Sequence, residues 1–259
     1  MVQSRGLGDV YKRQTHHQAV WRKNPLYDSF EIGNPGRFKT LLSWQAAKLV
    51  QEWVAAGYSV ISLSNLDSID KDVARNLAKF PAKPGSRIWI YLTGLTSIDR
   101  DVALELAKFQ GEKLYLDGLE TIDEDVALEI AKFGGNLHLN GLTSIDAKVA
   151  KALMTNHVGS GDLSLNGLTS IDKNVALELG KFEGDDLILN GLTTIDKDTA
   201  EALVKCGETS SSNNPSDLRL TGIRHINDPS VAQELASYKG ILELGIRSVR
   251  KEIAKKLAK

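Results

Sequence analysis

The chain has 259 residues, 42% of them hydrophobic and 25% charged, with a formal net charge of −1. That is enough apolar material for a large core, and it excludes the extreme charge of a disordered tail or a nucleic-acid binder. No apolar run approaches the roughly 18 residues of a membrane span, and a single cysteine, Cys206, excludes an intramolecular disulfide framework.

Residues 1–37 carry no repeat register. The opening, MVQSRGLGDVYKRQ, has no apolar middle region and is not a secretory signal. It resembles the conceptual translation of sequencing-adapter read-through at the ends of fragmentary metagenomic genes. On that reading residues 1–14 are not native sequence; the alternative is a short, basic, mobile tail. Residues 15–37, with Pro25, Pro35 and several polar side chains, are expected to form an irregular segment. His16 and His17 are adjacent, but a metal site needs further ligands at suitable spacing.

The repeat-bearing unit is expected over residues 38–259. A helix is expected over about 42–57, with Ser43 opening it and Ala46, Ala47 and Val50 at helical spacing. Trp44 and Trp53 make it bulkier than its successors, as suits a coil that seals one end of a stacked core. An aromatic docking helix is the alternative.

From there the chain repeats one phrase. It is clearest at Leu137–Asp146 (LHLNGLTSID), Leu163–Asp172 (LSLNGLTSID), Leu187–Asp196 (LILNGLTTID), Leu114–Asp123 (LYLDGLETID) and Ile90–Asp99 (IYLTGLTSID). Weaker copies begin at Ile61, Leu218 and Leu242. The register residues Leu63, Leu92, Leu116, Leu139, Leu165, Leu189, Leu220 and Leu244 are separated by 29, 24, 23, 26, 24, 31 and 24 positions. A fixed period of about 24 residues is the mark of a stacked solenoid.

Each copy reads as one coil. Leu-x-Leu puts two side chains on the same face of a short strand. The small polar residue and glycine that follow (Asn140-Gly141, Asn166-Gly167, Asn190-Gly191) end the strand, with glycine expected to supply a positive φ. Leu142 and Ile145 return apolar bulk inward. Asp146, like Asp70, Asp99, Asp123, Asp172 and Asp196, stands at a helix N-cap position, and Asp228 is followed by Pro229 at the first helical position. Val102, Ala103, Leu106 and Ala107 share one helical face. Lys79, Lys108, Lys132 and Lys181 place a cation at the helix C-terminus, and Gly111, Gly134 and Gly184 release the chain. The fold class is therefore α/β: a solenoid with a parallel sheet on its concave side and short helices on its convex side.

Three connections are enlarged, at residues 80–87, 156–162 and 205–217, the last rich in Ser, Asn and Gly and expected to be a surface loop. Gly159-Ser160-Gly161 precedes a strand and is not a phosphate loop. The last coil closes on a basic helix over about 249–259, where Ile253, Ala254, Leu257 and Ala258 keep the apolar stripe. Arg247, Arg250, Lys251, Lys255, Lys256 and Lys259 cover the remainder. A charged outer face is what a capping coil requires; a basic patch for nucleic acid or anionic membrane is the sharper alternative.

The Leu-x-Leu strand, the turn, the two further apolar positions and the period resemble the leucine-rich repeat superfamily over roughly residues 42–259. The wording LxLNGLTSID…VAxxLAKF is closer to its bacterial repeats than to animal or plant forms. Leu142 and its equivalents stand where the superfamily's LxxLxLxxNxL pattern has its buried asparagine, so the resemblance carries over no asparagine ladder at that position.

Chemistry is not evident. His138, His157 and His225 lie in different coils at non-equivalent positions, and there is no Ser/His/Asp order, HExxH, P-loop or paired-cysteine motif. The recurrent Asp-x-Asp (Asp70/Asp72, Asp99/Asp101, Asp123/Asp125, Asp196/Asp198) is explained by an N-cap plus a second first-turn carboxylate, where calcium would need more oxygens. No enzymatic activity, metal or cofactor is expected. The strand residues between the leucines point outward: Ser62, Tyr91, Tyr115, His138, Ser164, Ile188 and Arg219. Those before each pair do likewise: Trp89, Lys113, Asn136, Asp162, Asp186 and Asp217. Strands lie about 4.8 Å apart, so Trp89, Tyr91, Tyr115 and His138 should form one aromatic patch, with Ile188 and Arg219 beside an acidic stretch below it. Aromatic and Arg side chains dominate interface energies. The expected function is a non-enzymatic interaction module that takes a protein or peptide partner on the concave face, as the resemblance also implies. A repeat spacer within a larger cell-surface or envelope protein and a glycan-binding surface are the alternatives.

Overall fold

The structure, a computed structural model, describes residues 20–24, 29–33, 41–80, 87–155, 161–206, 216–247 and 253–255. Strands β3 (Val60–Ser62), β4 (Trp89–Tyr91), β5 (Lys113–Tyr115), β6 (Asn136–His138), β7 (Leu163–Ser164), β8 (Asp186–Ile188), β9 (Asp217–Leu220) and β10 (Leu242–Leu244) lie side by side in chain order. All pair parallel in one open sheet, with Ile90, Leu114, Leu137, Leu163, Leu187 and Leu218 in one register. Helix α1 (Ser43–Ala56) precedes β3. After it each strand feeds a helix in turn: α2 (Lys71–Ala78), α3 (Arg100–Leu106), α4 (Glu124–Ile130), α5 (Ala147–Thr155), α6 (Lys173–Leu179), α7 (Lys197–Leu203) and α8 (Pro229–Leu235). Helices pack on neighbouring helices and strands on neighbouring strands. The expected α/β solenoid is what the chain forms.

The helix starts follow the repeat. Asp70, Asp99, Asp123, Asp146, Asp172 and Asp196 each accept the backbone N–H three residues on at 2.8 Å, and Asp228 accepts from Ser230 at 2.7 Å. Three of the four second acids of the Asp-x-Asp pairs are engaged as well: Asp72 pairs with Arg75 at 2.7 Å, Asp101 with Lys71 at 2.8 Å and Asp198 with Lys173 at 3.1 Å. Between the layers runs one continuous core of the two strand leucines, the turn leucine, the helix Val-Ala-Leu stripe and a phenylalanine after the helix (Phe80, Phe109, Phe133, Phe182). Cys206 and Tyr238 take that last position in later coils. Burial pushes the Cys206 thiol up to about 12, which makes it a packed, unreactive group.

The segment expected to be irregular instead contributes to the sheet. β1 (Val20–Asn24) pairs antiparallel with β2 (Ser29–Gly33), which joins β3 in parallel. Pro25 and Pro35 flank these strands without interrupting them, and Ser29–Gly33 alternates polar and apolar residues with the strand period. The gain is an edge: β3 would otherwise present unpaired backbone groups at the end of the sheet. Helix α1 seals the same end, with Trp53 2% and Trp44 53% exposed. Its N-cap is Leu42 and not Ser43, with Gln45 Oε1 accepting the Leu42 N–H at 2.8 Å. Residues 1–14, His16 and His17, most of the three enlarged connections, and most of the basic helix over 249–259 lie outside the described residues. Of that helix, residues 253–255 are helical, with Ile253 buried.

The glycines of the turn do a different job from the one expected. Among the described residues only Gly57, closing α1, has a positive φ, 72°. Gly141 is glycine because a Cβ there would lie 2.2 Å from the Asp117 carbonyl oxygen of the preceding coil. Gly94, Gly118, Gly167, Gly191 and Gly222 meet a carbonyl oxygen of the preceding coil in the same way, at 2.0–2.4 Å.

A polar ladder accompanies this approach. It lies immediately after the second leucine, two positions ahead of where the superfamily pattern places its asparagine. Asp117 Oδ1 accepts the Asn140 N–H at 2.9 Å, Asn140 Oδ1 that of Asn166 at 2.9 Å, Asn166 Oδ1 that of Asn190 at 2.8 Å, and Asn190 Oδ1 that of Thr221 at 2.9 Å. Asn166→Ala strands the Asn190 N–H and should cost about 1–2 kcal/mol. Asn166→Asp keeps the acceptor, as Asp117 does naturally, and should melt closer to the parent protein. Thermal melts in the reverse order would refute the ladder's role.

Candidate functional site

The site is built on the sheet face turned away from the helices. The strand period sends Ile90, Leu114 and Leu137 into the core and their neighbours outward. Parallel pairing then aligns Trp89 with Lys113 and Asn136, and Tyr91 with Tyr115 and His138. Of the predicted site residues, the structure brings Tyr91, Tyr115 and His138 into one stack. Tyr91 and Tyr115 have ring centroids 4.1 Å apart at 7°, and Tyr115 and His138 are 4.1 Å apart at 16°. Trp89 lies in the adjacent column with the Lys113 Nζ 5.3 Å from its ring centroid, a cation–π distance.

Burial, with the Tyr91 hydroxyl beside it, raises the Tyr115 phenol further above its ordinary value. Burial also lowers the His138 imidazole, against the pull of the Asp117 carboxylate and with help from Lys113. The Trp89 Nε1 and His138 Nε2 atoms are shielded from water and have no hydrogen-bond partner. An unpaired buried polar atom costs about 1–3 kcal/mol, so aliphatic strand residues would serve stability better at these positions.

Ile188 and Arg219 are separated from the stack by Ser164, which is 1% exposed. Ser164 donates to Asn140 Oδ1 at 2.7 Å and accepts from Asn166 Nδ2 at 2.9 Å, so it belongs to the ladder. Arg219 is already engaged, by Asp186 at 2.5 Å and Glu243 at 3.4 Å. Asp162 accepts from Asn136 Nδ2 at 2.5 Å. Its carboxyl is raised above the usual range by burial and then by Asp186 and Asp185.

What sequence reading missed is on the helix layer. Glu105 and Glu129 are 4% and 5% exposed. Glu105 is bound by Arg75 at 3.1 Å and Lys108 at 2.9 Å, and Glu129 by Arg100 at 2.8 Å and Lys132 at 2.5 Å. Lys108 and Lys132, expected to serve the helix dipole, pair with these carboxylates, and the Glu-x-x-Lys spacing was the available signal. Among the described residues no group of three or more His, Cys, Asp or Glu is placed to hold a metal ion, and no helix is long and apolar enough to cross a membrane. No protein-family model matches the sequence, and no curated protein matches it.

Proposed function

We propose that this chain is a leucine-rich repeat module of bacterial type that acts without catalysis, binding a protein or peptide on the outer sheet face around Trp89, Tyr91, Tyr115 and His138. The observation that carries the reading is the three-ring stack beside Trp89 on a face that no described helix or strand covers. Large rigid aromatics supply contact area at low entropic cost, and such residues carry most of the energy in protein interfaces. Two shielded nitrogens without partners are a cost that folding alone does not require. The ring faces of Tyr115 are spent on Tyr91 and His138. That suits a peptide better than a sugar, which needs an open ring face to stack on.

The test is a peptide library displayed on phage and selected on the immobilised protein, with the surviving peptides re-measured in solution. Tyr91→Ala combined with Tyr115→Ala should weaken them about 30-fold or more, the equivalent of a hot-spot loss of about 2 kcal/mol, at an unchanged circular-dichroism spectrum. Peptides that bind the double variant as well as the parent would place the site elsewhere.

A further inference from the structure

The outer face is divided electrically as well as chemically, and the division bears on what the partner looks like. Strands β4 to β6 hold the aromatic stack, with Lys113 lying against Trp89. Strands β7 to β10 contain one basic residue, Arg219, which two carboxylates already hold. Around it stand Asp162, Asp185, Asp186, Asp217 and Glu243. Asp162 is half-buried and crowded by its like-charged neighbours, so this half has more negative charge than its own cation answers.

Resting on the reading that this face binds a peptide, we propose that the partner segment is extended and bipartite, with an apolar or aromatic anchor against Tyr91, Tyr115 and Trp89 and a basic cluster over Asp162, Asp186 and Asp217. The spacing follows from the sheet. The centres of the two halves are about three strands apart, or roughly 14 Å at about 4.8 Å per strand. An extended chain rises about 3.3–3.4 Å per residue, so the anchor and the basic cluster should stand about four residues apart. Charge complementarity of this kind fixes the direction in which the peptide lies and speeds its arrival.

Fluorescence anisotropy of four labelled synthetic peptides on the full chain tests this. One carries an aromatic anchor, a flexible two-residue spacer and three arginines, which centres the basic cluster about four residues from the anchor; the second replaces the arginines with glutamates; the third lacks the anchor; the fourth lacks the spacer. The first should bind at least tenfold tighter than each of the others, and its affinity should fall as salt rises. Asp162→Asn with Asp217→Asn should weaken it at least tenfold; both asparagines keep the hydrogen-bond acceptors that Asn136 and the Ile241 N–H use, so the fold should be retained. No binding by the first peptide, equal binding by any other, or an unchanged affinity in the neutralised variant would overturn the proposal. The Tyr91→Ala/Tyr115→Ala variant separates the two readings: if it releases whichever peptide binds, the face is the site and only the bipartite assignment falls. If it releases none, both fall.

Discussion

Gly141→Ala should destabilise the protein by about 3 kcal/mol, at the upper end of what overpacking costs, and lower its melting temperature by roughly 6–12 °C. The added methyl would sit 2.2 Å from the Asp117 carbonyl oxygen and 2.6 Å from that of Leu119. Both are backbone atoms of the preceding coil, so neither can rotate away. The coil must lift, and in a stack where each unit touches only its neighbours the lift loosens both interfaces at once. Gly57→Ala is the control. Gly57 has φ 72° with nothing within 4 Å of its would-be Cβ, so only the left-handed backbone is strained, at about 1 kcal/mol. Chemical denaturation of the two variants separates close approach from conformational freedom. Equal, small losses would show that the coils have slack.

Glu129→Ala should cost about 2 kcal/mol, since two charge-assisted hydrogen bonds to a buried carboxylate disappear. The partners soften the loss: the Arg100 and Lys132 side chains are 58% and 43% exposed and regain water. The charge also sets a pH dependence. The Lys132 ammonium, joined by Arg100, holds the Glu129 carboxyl below its ordinary value against the opposing effect of burial, and Lys108 with Arg75 does the same for Glu105. A carboxyl depressed in the folded state contributes stability that is present above its unfolded value, about 4.3. It is lost as pH falls through the folded value. The difference in melting temperature between the parent and Glu129→Gln should therefore be largest at neutral pH and shrink on acidification below about 4.3. A constant difference down to acid pH would mean the charge contributes nothing.

The strand and helix of each coil were legible because they follow from side-chain period and from residues acting on their own neighbourhood. Asp146 caps the helix it precedes, and Leu137 and Leu139 share a face whatever lies next door. The outward column Tyr91, Tyr115, His138 was legible for the same reason once the register was counted. What escaped was whatever depends on the distance between coils. Gly141 looks like a turn glycine until the Asp117 carbonyl is found against it, and Asn140 looks like a turn asparagine until the Asn166 amide is placed below its oxygen. Arg219 looks like a free cation in sequence because Asp186 lies in the preceding coil and Glu243 in the following one. The strands at 20–24 and 29–33 escaped differently: they lie outside the repeat, so no other copy reinforced their alternation.

The asparagine ladder has a sense of travel. Every acceptor belongs to the earlier coil and every donor to the later one, from Asp117 through Asn190. Synthesis on the ribosome delivers the chain in that same order, with the N-terminal part free to fold first. Each coil that has closed therefore holds out an oxygen for the amide still to emerge, so the molecule is templated in the direction in which it is made.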